Sequence, residues 1–111
     1  MRRLSLLGST GSIGRQTLEV AAAHPERIAI AGLAAGGNLE LLIQQTKQFQ
    51  PALVSVTRRD DAARVREAVS NLGVEVVSGP EGLRAVAEAE ADLVIEGIAE
   101  LPGAIHKLES P

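Results

Sequence analysis

Five short apolar runs alternate along the chain with segments of helical periodicity, and this alternation constrains the fold more than any other feature. The runs are Leu4–Leu7, Arg27–Leu33, Leu53–Val56, Val74–Val77 and Asp92–Ile98. Helices between strands of this length return the chain to a parallel neighbour through right-handed crossovers. The chain is therefore expected to be α/β, with one doubly wound parallel sheet.

The segments between the runs predict four helices. The first extends from about Ile13 to His24, and its inward stripe is Ile13, Thr17, Val20 and Ala21. Asn38 is expected to cap the second helix, and Asp60 or Asp61 to begin the third. The inward residues of the small fourth helix are Leu83, Val86 and Ala87. The tail from Leu101 is ambiguous, and a helix from Ala104 is one possibility.

Composition excludes several classes of protein. The chain has one Phe and no Trp or Tyr, and it has a formal net charge of −3. It therefore lacks both the aromatic platforms and the basic surface typical of nucleic-acid binding. With no cysteine, a zinc–thiolate site and a thiol nucleophile are excluded. No apolar run approaches the ~18 residues of a membrane span. We expect a cytoplasmic protein with neither a nucleic-acid nor a membrane partner.

The segment between the first strand and the first helix has the spacing Gly8-x-x-Gly11-x-x-Gly14. In this context Gly8 permits a tight exit from the strand, Gly11 lets a diphosphate approach the backbone, and Gly14 lets the helix pack closely. The amides of Gly11, Ser12 and Ile13 are expected to face phosphate oxygens at the helix N-terminus. A purely structural turn would also need glycine, but the position favours a Rossmann-like nucleotide-binding domain.

The end of the second strand bears on the choice of nucleotide. NAD-binding domains usually carry a carboxylate there for the ribose 2′-hydroxyl. Here Gly36, Gly37 and Asn38 follow the strand, and a 2′-phosphate would meet no negative charge. This favours NADP, although a plain helix entry capped by asparagine has the same sequence. Arg58 and Arg59 are equally well explained as phosphate partners or as solvated loop charges.

The run from Leu6 to Val20, which contains Gly-Ser-Thr-Gly-Ser-Ile-Gly, resembles the start of the 1-deoxy-D-xylulose 5-phosphate reductoisomerase family. The segments at His24–Glu26, Leu33–Asn38 and Phe49–Pro51 match the family in order and spacing, so the resemblance covers roughly residues 4 to 95. It implies that Thr10, Gly11, Ser12 and Ile13 contact the pyrophosphate of NADPH, and that Gly36, Gly37 and Asn38 contact its adenosine phosphate.

The resemblance also implies an activity, cofactors and partners. Members convert 1-deoxy-D-xylulose 5-phosphate, a phosphorylated sugar, to 2-C-methyl-D-erythritol 4-phosphate in non-mevalonate isoprenoid biosynthesis. They use NADPH and a divalent cation, Mg²⁺, Mn²⁺ or Co²⁺, and the full-length enzyme is expected to be a homodimer. The metal ligands and catalytic residues of the family lie further along than Pro111. Residues 1–111 are thus expected to be the NADP-binding domain of a longer enzyme, with no metal or catalytic residue and no activity alone.

Two departures from the family pattern stand out. The family commonly has Lys or Arg where this chain has Gly37, so a favourable charge for the 2′-phosphate is missing. After Ile95 the chain keeps only parts of the small-residue pattern typical of the family. Two other functions remain open at this point: another NADP-dependent dehydrogenase, acting on a semialdehyde or homoserine, and a non-catalytic nucleotide-binding module.

Overall fold

A computed structural model describes residues 1–96 and the backbone of residues 105–106. The strands are β1 (Arg2–Leu7), β2 (Ile28–Ala35), β3 (Leu53–Val56), β4 (Glu75–Ser78), β5 (Leu93–Glu96) and β6 (Ile105–His106). The helices are α1 (Ser12–Ala23), α2 (Leu39–Phe49), α3 (Arg59–Ala68) and α4 (Gly79–Ala87). The predicted alternation of strands and helices is confirmed.

The strands form one sheet in the order β4-β3-β2-β1-β5-β6. Pairs among the first five strands are parallel, and β6 adds an antiparallel edge. The chain moves outward from β1 to β4 and then returns to place β5 on the other side of β1. This reversal is the switch point at which doubly wound sheets bind ligands, beyond the carboxyl ends of their strands. The fold is Rossmann-like, as the sequence predicted.

Two layers of helix cover the sheet. Leu4 and Leu6 of β1 face the larger core, together with buried residues of α1, α2 and α3. Leu7 faces the opposite side, where Val86 of α4 completes a smaller core with Ala34 and Val94. Because successive side chains of a strand point to opposite faces, parallel strands buried on both faces are apolar throughout. This explains the continuous apolar runs in the sequence.

The prediction that Val20 and Leu83 face the core is wrong. Val20 is 53% exposed, because α1 directs Gly14, Leu18 and Ala21 toward the sheet. Val20 lies two residues from Leu18, on nearly the opposite side of a helix with 3.6 residues per turn. Leu83 is 41% exposed, because α4 instead places Gly82 against the sheet. In both helices the buried face contains a glycine, Gly14 or Gly82. A glycine has no side chain and so does not contribute to the apolar periodicity from which the buried face was predicted.

The tail also differs from the sequence-based expectation. Ile105–His106 is a strand that pairs with Val94 and Ile95 of β5, so a helix from Ala104 is wrong at these two residues. Pairing supplies hydrogen-bond partners for the backbone of β5, which would otherwise be a sheet edge. The predicted end of the fifth strand at Ile98 and the remainder of the tail lie outside the described residues.

Candidate functional site

The loop between β1 and α1 is anchored to β2 by its backbone. Gly8 has a φ of 91°, a left-handed conformation in which a side chain is unfavourable. This turn lets the amides of Gly8 and Ser9 both donate to the Ala34 carbonyl, at 2.7 and 3.0 Å. Ser9 is fully buried. The loop is therefore fixed at the carboxyl edge of the sheet, beside the switch point.

Gly14 allows α1 to pack against this loop without any intervening side chain. A Cβ at Gly14 would lie 2.5 Å from the Gly8 carbonyl oxygen and 2.7 Å from the Ser9 Cα. These atoms belong to the backbone, so they cannot be moved by a simple side-chain rotation. Gly14 was predicted to let the helix pack closely on the strand; the close approach is instead to the turn that follows β1, at Gly8 and Ser9.

The first turn of α1 presents free backbone donors. Within residues 1–96 no protein group accepts the amide hydrogens of Ser12 or Ile13, the first two residues of the helix. The Gly11 amide was expected to face outward as well, but it donates to the Gly8 carbonyl at 3.1 Å and closes a turn. Unpaired amides and the positive end of the helix dipole together suit an anion.

The loop between β2 and α2 forms the second part of the site. Asn38 has a left-handed backbone (φ 52°), and its side chain accepts a hydrogen bond from the Leu41 amide at 3.3 Å. Its predicted helix cap is therefore confirmed. The Thr10 hydroxyl donates to the Gly37 carbonyl at 3.3 Å, which connects this loop to the glycine-rich loop. A Cβ at Gly37 would meet nothing within 4 Å. The position therefore faces open space.

A cleft of about 200 Å³ lies between these two loops and α4. Gly8, Gly36, Thr57 and Leu83 are among the residues that line it. Its walls are mostly apolar, so it suits the face of a flat ring more than a charged group. Thr57 and Leu83 were not among the predicted site residues. Thr57 was detectable as the residue that follows β3, whereas Leu83 was assigned to the core.

Two arginines lie near the cleft, after the end of β3. Arg58 precedes α3 and Arg59 begins it, immediately after Thr57, and both are exposed. Neither forms an ion pair with any residue in the described part of the chain. Over residues 1–96, no group of three or more His, Asp or Glu side chains is placed to bind a metal ion. The site thus has backbone donors suited to a nucleotide.

A sequence model of the 1-deoxy-D-xylulose 5-phosphate reductoisomerase family matches residues 4–110. The chain belongs to this family. The reductoisomerase of Geobacter metallireducens is 47% identical over 106 residues, and that of Geotalea uraniireducens is 42% identical over the same length. Each alignment covers 95% of this chain but 28% of the relative. The chain thus spans between a quarter and a third of the length of these reductoisomerases.

Solved reductoisomerase structures share the fold. The enzyme from Zymomonas mobilis in complex with NADPH superposes with a TM-score of 0.83 at 27% identity, over 87% of this chain and 26% of that one. A reductoisomerase in complex with NADPH, fosmidomycin and magnesium gives a TM-score of 0.82 at 31% identity, over 88% of this chain and 24% of that one. No helix among the described residues is long and apolar enough to cross a membrane.

Proposed function

We propose that this chain is the NADPH-binding domain, residues 1–111, of a reductoisomerase that converts 1-deoxy-D-xylulose 5-phosphate to 2-C-methyl-D-erythritol 4-phosphate. The observation that carries the proposal is the pair of unpaired amides at Ser12 and Ile13, at the start of α1 beside the glycine-rich loop. Two related structures contain NADPH, which adds support. The whole enzyme would act in the cytoplasm as a homodimer.

The residues present fit this cofactor in two parts. Thr10, Gly11, Ser12 and Ile13 would bind the diphosphate. Gly11 would let the diphosphate approach because it has no side chain, since its amide already donates to the Gly8 carbonyl. Gly36, Gly37 and Asn38 would bind the adenosine ribose and its 2′-phosphate. The apolar cleft beside Leu83 would take the adenine ring. When bound, NADPH supplies the hydride for the reduction, and these residues hold and orient its adenosine half.

Preference for NADPH over NADH is the first prediction. We expect isothermal titration of the 111-residue chain to give at least a several-fold tighter dissociation constant for NADPH. The physical reason is that neither the end of β2 nor Gly36, Gly37 and Asn38 carries a carboxylate to repel the 2′-phosphate, while the N-terminus of α2 adjoins these residues. Equal affinities for the two cofactors would contradict the assignment of Gly36, Gly37 and Asn38 to the 2′-phosphate.

The second prediction concerns Gly37, where the family commonly has a basic residue. Gly37→Lys is expected to tighten NADPH binding about five-fold and to leave NADH binding unchanged, because the new ammonium group pairs with the 2′-phosphate in partly exposed surroundings. Open space around this position should let the domain tolerate the side chain. Gly37→Gln is the matched neutral control. Equal tightening of NADPH and NADH would place the 2′-phosphate elsewhere.

Catalysis is expected to need the remainder of the enzyme. The described residues contain neither a metal-binding cluster nor a residue that we assign to the chemical step. Mixing the 111-residue chain with substrate, NADPH and Mn²⁺ should therefore leave the absorbance of NADPH constant. Sustained oxidation of NADPH, dependent on the substrate, would show that this chain contains its own catalytic residues.

A further inference from the structure

We propose that Gln45, a buried residue of α2, is a positioning residue for the phosphate-binding loop. It acts by holding the Ser9–Thr10 peptide so that the Thr10 amide faces the diphosphate. This inference rests on the proposed function, because it explains how Thr10, already assigned to the diphosphate, presents its amide to the ligand.

The first observation is a buried contact between α2 and the loop. The Gln45 side-chain amide nitrogen, Nε2, donates to the Ser9 carbonyl oxygen at 2.9 Å. Gln45 is 5% exposed and Ser9 is fully buried, so water does not compete for this bond. Leu42 and Thr46, the neighbours of Gln45 on the same face of α2, are also fully buried. The donor is therefore held on a rigid element.

The second observation follows from the geometry of the peptide unit. In a planar trans peptide the carbonyl oxygen and the following amide hydrogen point in opposite directions. Gln45 draws the Ser9 carbonyl inward, toward α2, so the Thr10 amide must point outward. Within residues 1–96 no protein group accepts this amide hydrogen. The Thr10 amide is thus free, like those of Ser12 and Ile13.

The third observation concerns the oxygen of the Gln45 side chain, Oε1, which is buried without a hydrogen-bond donor. An unpaired buried polar group typically costs about 1–3 kcal/mol. An apolar residue at position 45 would remove this cost but would leave the buried Ser9 carbonyl without its donor. What the side-chain amide of Gln45 provides at this cost is its one hydrogen bond, to the loop.

The test compares two glutamines that are adjacent in α2. Gln45→Met keeps the length of the side chain but removes the donor, and Gln44→Met makes the same change on the exposed face. For Gln45→Met we expect the dissociation constant for NADPH to rise about five- to ten-fold, as for the loss of one hydrogen bond in a binding site. For Gln44→Met we expect a change of less than about two-fold.

A second readout separates positioning from a general loss of structure. In the phosphorus NMR spectrum of bound NADP⁺, Gln45→Met should move the diphosphate resonances toward their free positions while the 2′-phosphate resonance keeps its bound position. Equal displacement of all three resonances, or unchanged NADPH affinity in Gln45→Met, would overturn the proposal. If the wild-type chain itself fails to bind NADPH, then the proposed function is wrong and not this inference alone.

The wild-type chain offers a test that needs no folded variant. When inorganic pyrophosphate is added to the ¹⁵N-labelled chain, the amide resonance of Thr10 should shift together with those of Ser12 and Ile13. The Gly11 resonance should shift less, because its amide is engaged within the loop. A Thr10 resonance that does not move while those of Ser12 and Ile13 do would show that its amide is not aimed at the ligand.

Discussion

Ser12→Pro is expected to weaken NADPH binding by about ten- to a hundred-fold, the loss that accompanies removal of a hydrogen bond to a charged group. Ser12 is the first residue of α1, a position where proline is favourable because its missing amide hydrogen has no partner in the helix. The preceding residue, Gly11, already has the extended backbone that a following proline requires (φ −80°, ψ 178°). The substitution therefore removes a phosphate donor with little cost to folding.

The control for this prediction is Ser12→Ala, which removes the hydroxyl but keeps the amide. We expect it to weaken NADPH binding by no more than about three-fold. Affinities would be measured by titration, and circular dichroism would check that both variants keep their helical content and melting temperature. A fully folded Ser12→Pro variant with wild-type affinity would mean that the backbone at the start of α1 does not bind the diphosphate.

Gly14→Ala is expected to lower the free energy of unfolding by about 3 kcal/mol, which is the upper end of the usual range for overpacking. The added methyl group would lie within 3 Å of three backbone atoms of Gly8 and Ser9, so the loop and α1 must separate. Small domains have only 5–15 kcal/mol of net stability, so the effect is large. Because the loop moves, NADPH binding should also be lost.

Urea unfolding followed by circular dichroism would measure this loss of stability, since the chain has no Trp or Tyr to report by fluorescence. The matched control is Gly37→Ala, used for stability alone, because a Cβ there meets nothing. We expect that variant to be unchanged or more stable by a few tenths of a kcal/mol, through reduced freedom of the unfolded chain. If Gly14→Ala were as stable as Gly37→Ala, the close approach of α1 to the loop would be refuted.

Much of the fold was predictable because local patterns and tertiary packing agree. The apolar run Leu53–Val56 is a strand with the predicted ends. The cap at Asn38 and the close approach at Gly14 also followed from sequence alone. In each of these places the residue has one physically favourable role, as a buried strand, a helix cap or a residue without a side chain. Such roles leave a signal in the sequence.

Other features depend on contacts between segments that are distant in sequence. Leu83 was expected in the core, but the approach of Gly82 to Ser55 and Val77 turns it into the wall of the cleft. The contact of Gln45 could not be predicted from a sequence pattern, because its partner, the Ser9 carbonyl, lies 36 residues earlier. The Gly11 amide was expected to face a ligand, and the turn to Gly8 uses it instead. These contacts depend on distances between segments in the folded chain, which the periodicity of apolar residues does not predict.

The order of residues by itself determined the alternation of strands and helices, the glycine-rich turn and the absence of a carboxylate after β2. These follow from steric and hydrophobic preferences that act within a few residues. Only the tertiary structure decided which loop amides remain free, which helix face is buried and which side chains line the cleft. Those outcomes depend on how closely the segments approach in space, because hydrogen bonds and close packing depend on sub-ångström differences in position.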